Sequence, residues 1–288
     1  MKLITYRHNG AEHVGVLTAA EDAVLPLPCS DMNSLIESMT LADVRSAAEE
    51  AERTGASVPL ADVELLSPIP RPRQDVICLG INYKAHAEES TKYDAAAFGG
   101  ERPVPIYFSK RVTEAVSPTG FIESHPGLVT RLDYEAELAI IIGKTAKNVP
   151  AAEAGDYIFG YTVLNDVSAR MLQTSHKQWY FGKSLDGFTP IGPCILTADQ
   201  VAFPPALGIR CWVNDELRQD SNTSLLISGI PEILEQLSSG MTLLPGTIIA
   251  TGTPSGVGMG FDPPKFLHPG DVVKCEIDGI GAICNPVR

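Results

Sequence analysis

Beyond residue 73 the chain is a succession of short β-branched and aromatic runs with little helical periodicity, and that pattern restricts it to a β-rich core. The runs fall at residues 76–79, 106–108, 135–142, 158–165, 191–196, 209–213, 247–250 and 272–277. Two stretches there read as helices. One follows Val167, and the other runs from Pro231, a favoured first helical residue, to Gly240, a favoured stop. Pro245-Gly246 and Asp278-Gly279 read as turns between strands. Strands that do not alternate regularly with helices predict a mixed sheet, not a doubly wound parallel one.

The first segment differs. Strand-like runs at 3–6, 14–17 and 23–27 precede helical stretches at 32–38 and 41–53, a small α+β unit. The run Leu66-Ser-Pro-Ile-Pro-Arg-Pro-Arg73 then brings three prolines together, which excludes a helix or a central strand and favours an extended linker. The expected organisation is a small N-terminal domain over 1–70 and a larger catalytic domain over 71–288.

With 35 acidic residues against 22 Lys and Arg, the formal charge is −13 and no basic run occurs, which argues against a nucleic-acid partner. The N-terminus lacks the apolar core of a signal peptide, and no stretch of about 18 apolar residues suggests a membrane span. Six scattered cysteines without a C-x-x-C pair fit free thiols in a reducing compartment, so a cytoplasmic protein is expected. An acidic chain that binds an acidic small molecule needs a metal ion or local cations to reverse the field in its pocket.

Several motifs meet that need. In Leu132-Asp-Tyr-Glu-Ala-Glu-Leu, alternation along a strand puts Glu135 and Glu137 on one face, about 6.6 Å apart in rise, where both carboxylates can reach one ion or lie solvated on an exposed face. Asp166 ends the next strand, with an ordinary use as N-cap of the following helix. Arg170 and Gln173 stand one face above it, a guanidinium and an amide suited to a carboxylate ligand. Lys183 lies among aromatic residues, where it either acts or simply lays its stem on apolar surface. His86 and Glu89, three residues apart on a helical turn, form either an oriented imidazole or a surface contact. The glycine-rich run Ala250-Thr-Gly-Thr-Pro-Ser-Gly-Val-Gly258 permits close backbone approach to a ligand but lacks the lysine and spacing of a phosphate loop.

Taken together, residues 75–288 resemble the fumarylacetoacetate hydrolase family, in particular its bacterial acylpyruvate hydrolases, oxaloacetate decarboxylases and catabolic isomerases. The resemblance implies an α+β, β-rich fold: a mixed β-roll with a small N-terminal α+β domain, usually a homodimer. It implies Mg²⁺ or Mn²⁺ on Glu135, Glu137 and Asp166, a donor set of oxygens that suits those hard ions. Lys183 and the His86/Glu89 pair match the family's catalytic groups, and Tyr83, Arg170, Gln173 and Thr253 its substrate contacts. The extra aspartate ligand of the eukaryotic enzymes, which precedes the histidine segment, has no counterpart. The expected reaction is hydrolysis of the C–C bond of an acylpyruvate-type 2,4-dioxo acid, releasing pyruvate as its enolate and a carboxylic acid. Glu89 paired with His86 would activate water, with Lys183 and Thr253 stabilising oxyanion charge. Oxaloacetate decarboxylation and 2-hydroxymuconate-type isomerisation use the same enolate and are the alternatives. Residues 83–100 are expected to form a closing lid, and the loop 91–102 to line the acyl pocket.

Overall fold

The computed structural model describes residues 1–100 and 104–288. Two buried strands form its centre. Ala136–Ile142 and Ile158–Asn165 pair antiparallel and are buried along their whole length, as expected of β-branched runs with apolar side chains on both faces. Ile158–Asn165 continues to Ile191–Thr197, while Ala136–Ile142 pairs with Ile248–Ala250. That short strand runs parallel to Val76–Gly80, which pairs in turn with Ile106–Lys110. A separate antiparallel sheet of four strands, in the order Glu216–Asn222, Gly208–Val213, Val272–Ile277, Gly281–Pro286, completes the roll. The expected mixed, β-rich α+β architecture is what the chain adopts.

The N-terminal strands Lys2–His8, Ala11–Leu17 and Ala23–Pro26 belong to the same large sheet. Lys2–His8 pairs with Ile191–Thr197, setting Leu3 opposite Ile195, and one sheet therefore runs from residue 2 into the roll. The proline run at 66–73 holds neither helix nor strand. Two N-terminal helices form where periodicity placed them, Met32–Ser38 capped by the Asp31 side chain and Leu41–Arg53 opened by a capping box between Thr40 and Asp43. Helix Ile230–Gly240 buries Ile230, Ile233, Leu234 and Leu237 on one face. All six cysteines are free.

Two local expectations are corrected. The helix after Val167 begins only at Arg170, because Ser168–Ala169 first pairs with Leu132–Asp133, so Asp166 is not its N-cap and the cap position falls to Ala169. The expected loop 91–102 is largely helical, with Lys84–Tyr93 and Ala95–Phe98, the latter capped by Asp94; residues 101 and 102 lie outside the described residues. No helix among the described residues is long and apolar enough to cross a membrane.

Because the sheet is continuous, the fully buried Leu3 packs in one core with Ile141, Phe159 and Ile195. Leu3→Ala should therefore lower stability by about 2–5 kcal/mol, and hydrogen exchange should show protection falling in Ile191–Thr197 as well as in the N-terminal strands. Loss of protection confined to residues 1–65 would show the two parts unfolding independently.

Candidate active site and metal centre

The strand pair that forms the core also builds the site. Glu137 sits opposite Leu164 in the ladder, and one step further the Asp166 amide donates to the Glu135 carbonyl at 2.9 Å. This register brings Glu135, Glu137 and Asp166 together, each offering a carboxylate oxygen within 4.8 Å of the others, and all three are buried. An exposed strand face is thus excluded for the two glutamates, which are 5% and 1% exposed.

Cations interleave the acids. Lys183 Nζ donates to Glu135 Oε2 and Asp166 Oδ2, both at 2.7 Å. Arg170 donates from Nη1 to Glu135 Oε1 at 2.5 Å and to Gln173 Oε1 at 3.1 Å, and from Nε to Asp133 Oδ2 at 2.8 Å. Its Nη2 is buried without a hydrogen-bond partner among the described residues. Lys110, absent from the sequence reading, uses all three ammonium protons: on Asp166 Oδ1 at 2.7 Å, the Val167 carbonyl at 3.1 Å and the Lys183 carbonyl at 2.5 Å. Neither Lys183 nor Lys110 lays its stem on the surface; both are buried.

Among the described residues four acids thus meet three cations, and the shortfall falls on Glu137. Among the described residues it makes no ion pair, accepting only the Gly252 amide at 2.7 Å. Burial pushes its carboxyl well above the ordinary value of 4.5, and the neighbouring Asp166 and Glu135 charges push it further. For Glu135 burial acts in the same sense, but Lys183 and Arg170 outweigh it and hold the group below its usual range. Burial lowers Lys110 despite Asp166, whereas Asp166 and Glu135 together overcome burial at Lys183 and raise it.

His86 and Glu89 lie on helix Lys84–Tyr93, with His86 Nδ1 3.1 Å from Glu89 Oε2. The pair is no surface contact, since His86 is 4% exposed and lines one cavity with Glu135, Glu137, Arg170, Lys183 and Thr253. Glu89 stands behind it, outside the cavity lining, and accepts the Gly256 amide at 2.9 Å through its other oxygen. Gly260 has no room for a side chain because a Cβ there would fall about 2 Å from the Glu89 carboxylate.

The glycine-rich segment supplies backbone donors to three carboxylates: Gly252 to Glu137, Gly256 to Glu89, and Gly258 and Met259 to Asp133. Asp133 is fully buried and joins this loop to Arg170. Sequence reasoning passed over it, although Asp133, Glu135 and Glu137 follow one alternation. Lys110 carried a similar signal, two residues beyond Phe108 on the same strand face.

Gln173 and Thr253 line the cavity as expected, but Thr253 Oγ1 donates to the Ala136 carbonyl at 2.9 Å and accepts from Gln219 Nε2 at 2.8 Å. Its proton is committed, so in this arrangement it is an acceptor toward a ligand and not an oxyanion donor. Tyr83 does not line this cavity. It borders a crevice with Leu225, Pro254 and Ser255, its hydroxyl is buried without a partner among the described residues, and burial together with the Glu137 charge raises its pKa.

A buried three-carboxylate centre with its own cations, at the end of a mixed β-roll, is a recognisable architecture. Residues 75–288 match the family model described as fumarylacetoacetate (FAA) hydrolase C-terminal, and residues 1–68 the one described as Rv2993c-like, N-terminal. The chain belongs to the fumarylacetoacetate hydrolase family. It is 44% identical over 231 residues to oxaloacetate tautomerase YisK of Bacillus subtilis, covering 79% of this chain and 74% of that protein. A fumarylacetoacetate hydrolase from the psychrophile Exiguobacterium antarcticum shares 38% identity with a TM-score of 0.85, over 100% of this chain and 99% of that one. Maleylpyruvate hydrolase from Sphingobium sp. SYK-6, solved with manganese(II) and pyruvate, shares 33% identity with a TM-score of 0.79, over 100% and 98% of the two chains.

Two substitutions read the charge balance in opposite directions. Lys110→Met leaves a buried carboxylate short of a partner and should cost about 3–5 kcal/mol by urea denaturation. Glu137→Gln should stabilise the metal-free protein. The raised Glu137 pKa contributes stability that is full below about 4.5 and is lost as pH rises towards the folded value. Wild type should therefore weaken across that window relative to Glu137→Gln, and parallel pH profiles for the two proteins would contradict the assignment.

Proposed function

We propose that this chain is a metal-dependent enzyme that forms and consumes the enolate of a compact 2-oxo acid, with oxaloacetate the first candidate substrate. The observation that carries the proposal is the convergence, on one buried cavity, of an oriented imidazole, a guanidinium with a nitrogen unpartnered among the described residues, and two carboxylates of the triad, with Asp166 beside them. The triad fits a hard divalent ion: three oxygen donors lie within 4.8 Å, and Glu137 is a buried acid that pairs with no cation among the described residues. Mg²⁺ or Mn²⁺ held by Glu135, Glu137 and Asp166 would supply Lewis-acid stabilisation of the enolate oxygen.

The chain's own groups then divide the work. Arg170, through Nη2, and Gln173 bind the substrate carboxylate, with Asp133 fixing the guanidinium plane. Glu89 accepts from His86 Nδ1 and so fixes the tautomer, leaving Nε2, which accepts from Ser90 Oγ at 3.4 Å, to exchange that contact for the proton of the carbon next to the 2-oxo group and return it to oxygen. His86, not Glu89, is therefore the base in this proposal, and Glu89 is its positioning residue. Lys183 has one ammonium proton beyond its two carboxylate bonds, available to the developing oxyanion. Keto–enol transfer closes there. The likeness to a tautomerase over 79% of the chain supports it.

Hydrolysis of an acylpyruvate C–C bond is the second reading, supported by the likeness to two hydrolases over the whole chain. It uses the same binding groups, with His86 activating water against the distal carbonyl. Loss of CO₂ from oxaloacetate would give the same enolate without that water.

The test is enol decay of oxaloacetate beside pyruvate release from short acylpyruvates, with Mg²⁺, Mn²⁺ and after chelation. Metal-dependent acceleration of enol exchange should dominate, and His86→Ala should lose about 10²- to 10⁴-fold in rate while Mn²⁺ affinity stays within a few fold. Metal-dependent acylpyruvate cleavage without enol exchange would promote hydrolysis, and a wild-type rate in His86→Ala would sink both mechanisms.

A further inference from the structure

The cavity lined by Glu135, Glu137 and His86 is small, about 10 Å³, room for about one water. Beside it lies an outer cleft of about 520 Å³, bordered by Asp94, Ala96, Ala97, Thr174 and Lys177. Only Gln173 and Trp179 line both spaces. Gln173 is held by Arg170, while Trp179 belongs to the half-buried turn that leads into Lys183. The wall between the reacting centre and the cleft is therefore, in its larger part, one indole.

That indole is held in place by three neighbours. Its ring meets Phe108 at 5.2 Å and 66° and Phe98, from the end of the Ala95–Phe98 turn, at 5.9 Å and 60°. Below it Gly80 leaves no space: a Cβ there would lie 2.1 Å from Trp179 Cζ3. Phe108 is fixed by the strand that carries Lys110, and Phe98 is buried in the cluster that packs helix Lys84–Tyr93 over the site. The position of the ring is therefore set from both the roll and the helical cover.

We propose that Trp179 is the specificity-determining residue of this enzyme, a partition that confines substrates to short 2-oxo acids, and that the outer cleft receives the distal chain of a longer one once the ring is removed. The proposal rests on the reading of the site as a 2-oxo acid centre. The lining is mixed: Ala96, Ala97 and the indole offer apolar contact, Thr174 and Ser175 offer hydroxyls, and Asp94 and Lys177 add one charge of each sign, so a neutral alkyl or acyl tail is favoured over a strongly anionic one.

Binding of inert 2-oxo acid mimics tests this without turnover. N-methyl, N-propyl and N-hexyl oxamate are titrated calorimetrically into the Mn²⁺-loaded full chain of wild type, Trp179→Phe and Trp179→Ala. In wild type the affinity should fall steeply with chain length. Trp179→Ala should bind the hexyl compound about tenfold or more tightly relative to the methyl one than wild type does, a step of the size a pocket boundary commonly sets. Trp179→Phe should lie between them, and methyl oxamate affinity within about threefold of wild type in each variant reports an intact centre. Parallel length profiles in wild type and Trp179→Ala overturn the partition whatever the turnover. A Trp179-dependent profile in a protein that turns over no 2-oxo acid would sink the proposed reaction and leave the partition standing. A wild type that binds no oxamate overturns both.

Discussion

Everything in this protein turns on a buried charge cluster that does not balance among the described residues. Asp133, Glu135, Glu137 and Asp166 face Lys110, Arg170 and Lys183, and all seven are buried. Each buried ion costs several kcal/mol in lost hydration, recovered only where a partner lies at hydrogen-bond distance. Six of the seven groups have such partners, at 2.5–2.8 Å. Glu137 has one backbone amide. A site that leaves one buried acid uncompensated could hold a further positive charge, and local destabilisation of this kind is common where function demands it.

The fold serves this cluster. Three carboxylates converge because neighbouring strands end together, and a rigid ladder fixes their separation better than loops would. The glycine-rich segment 252–259 then turns its amides towards Glu137, Glu89 and Asp133, so a single loop holds a triad acid, the histidine's partner and the arginine's partner. Through Gly256 and Gly260 the same loop sets where helix Lys84–Tyr93 sits, and with it His86. The cover over the site and the charge cluster beneath it are thus tied to one stretch of backbone.

Much of this was legible in the sequence where a single periodicity carried it. Glu135 and Glu137 share a strand face, and His86 and Glu89 a helical turn, and both pairs are where those periods put them. Asp166 was reachable as a site residue, but its local alternative as an N-cap failed because Ser168–Ala169 pairs with Leu132–Asp133 before the helix begins, a long-range pairing that no local pattern reports. Asp133 and Lys110 carried the alternation signal and were missed because each sits just beyond the charged or apolar run that drew notice. The direction of the Thr253 hydrogen bond, the burial of the Tyr83 hydroxyl near Glu137 and the seating of Trp179 against Gly80 depend on three-dimensional packing between distant segments. Spacing cannot encode them.

The proposed chemistry requires one divalent ion among three carboxylates, and anomalous scattering from crystals grown with Mn²⁺ and oxalate would locate it. One strong peak is expected, bounded by carboxylate oxygens of Glu135, Glu137 and Asp166, with Lys183 Nζ moved away from at least one of the two acids it now bridges and an oxalate oxygen against Arg170 Nη2. A peak elsewhere, or none at a manganese concentration that supports activity, would contradict that chemistry.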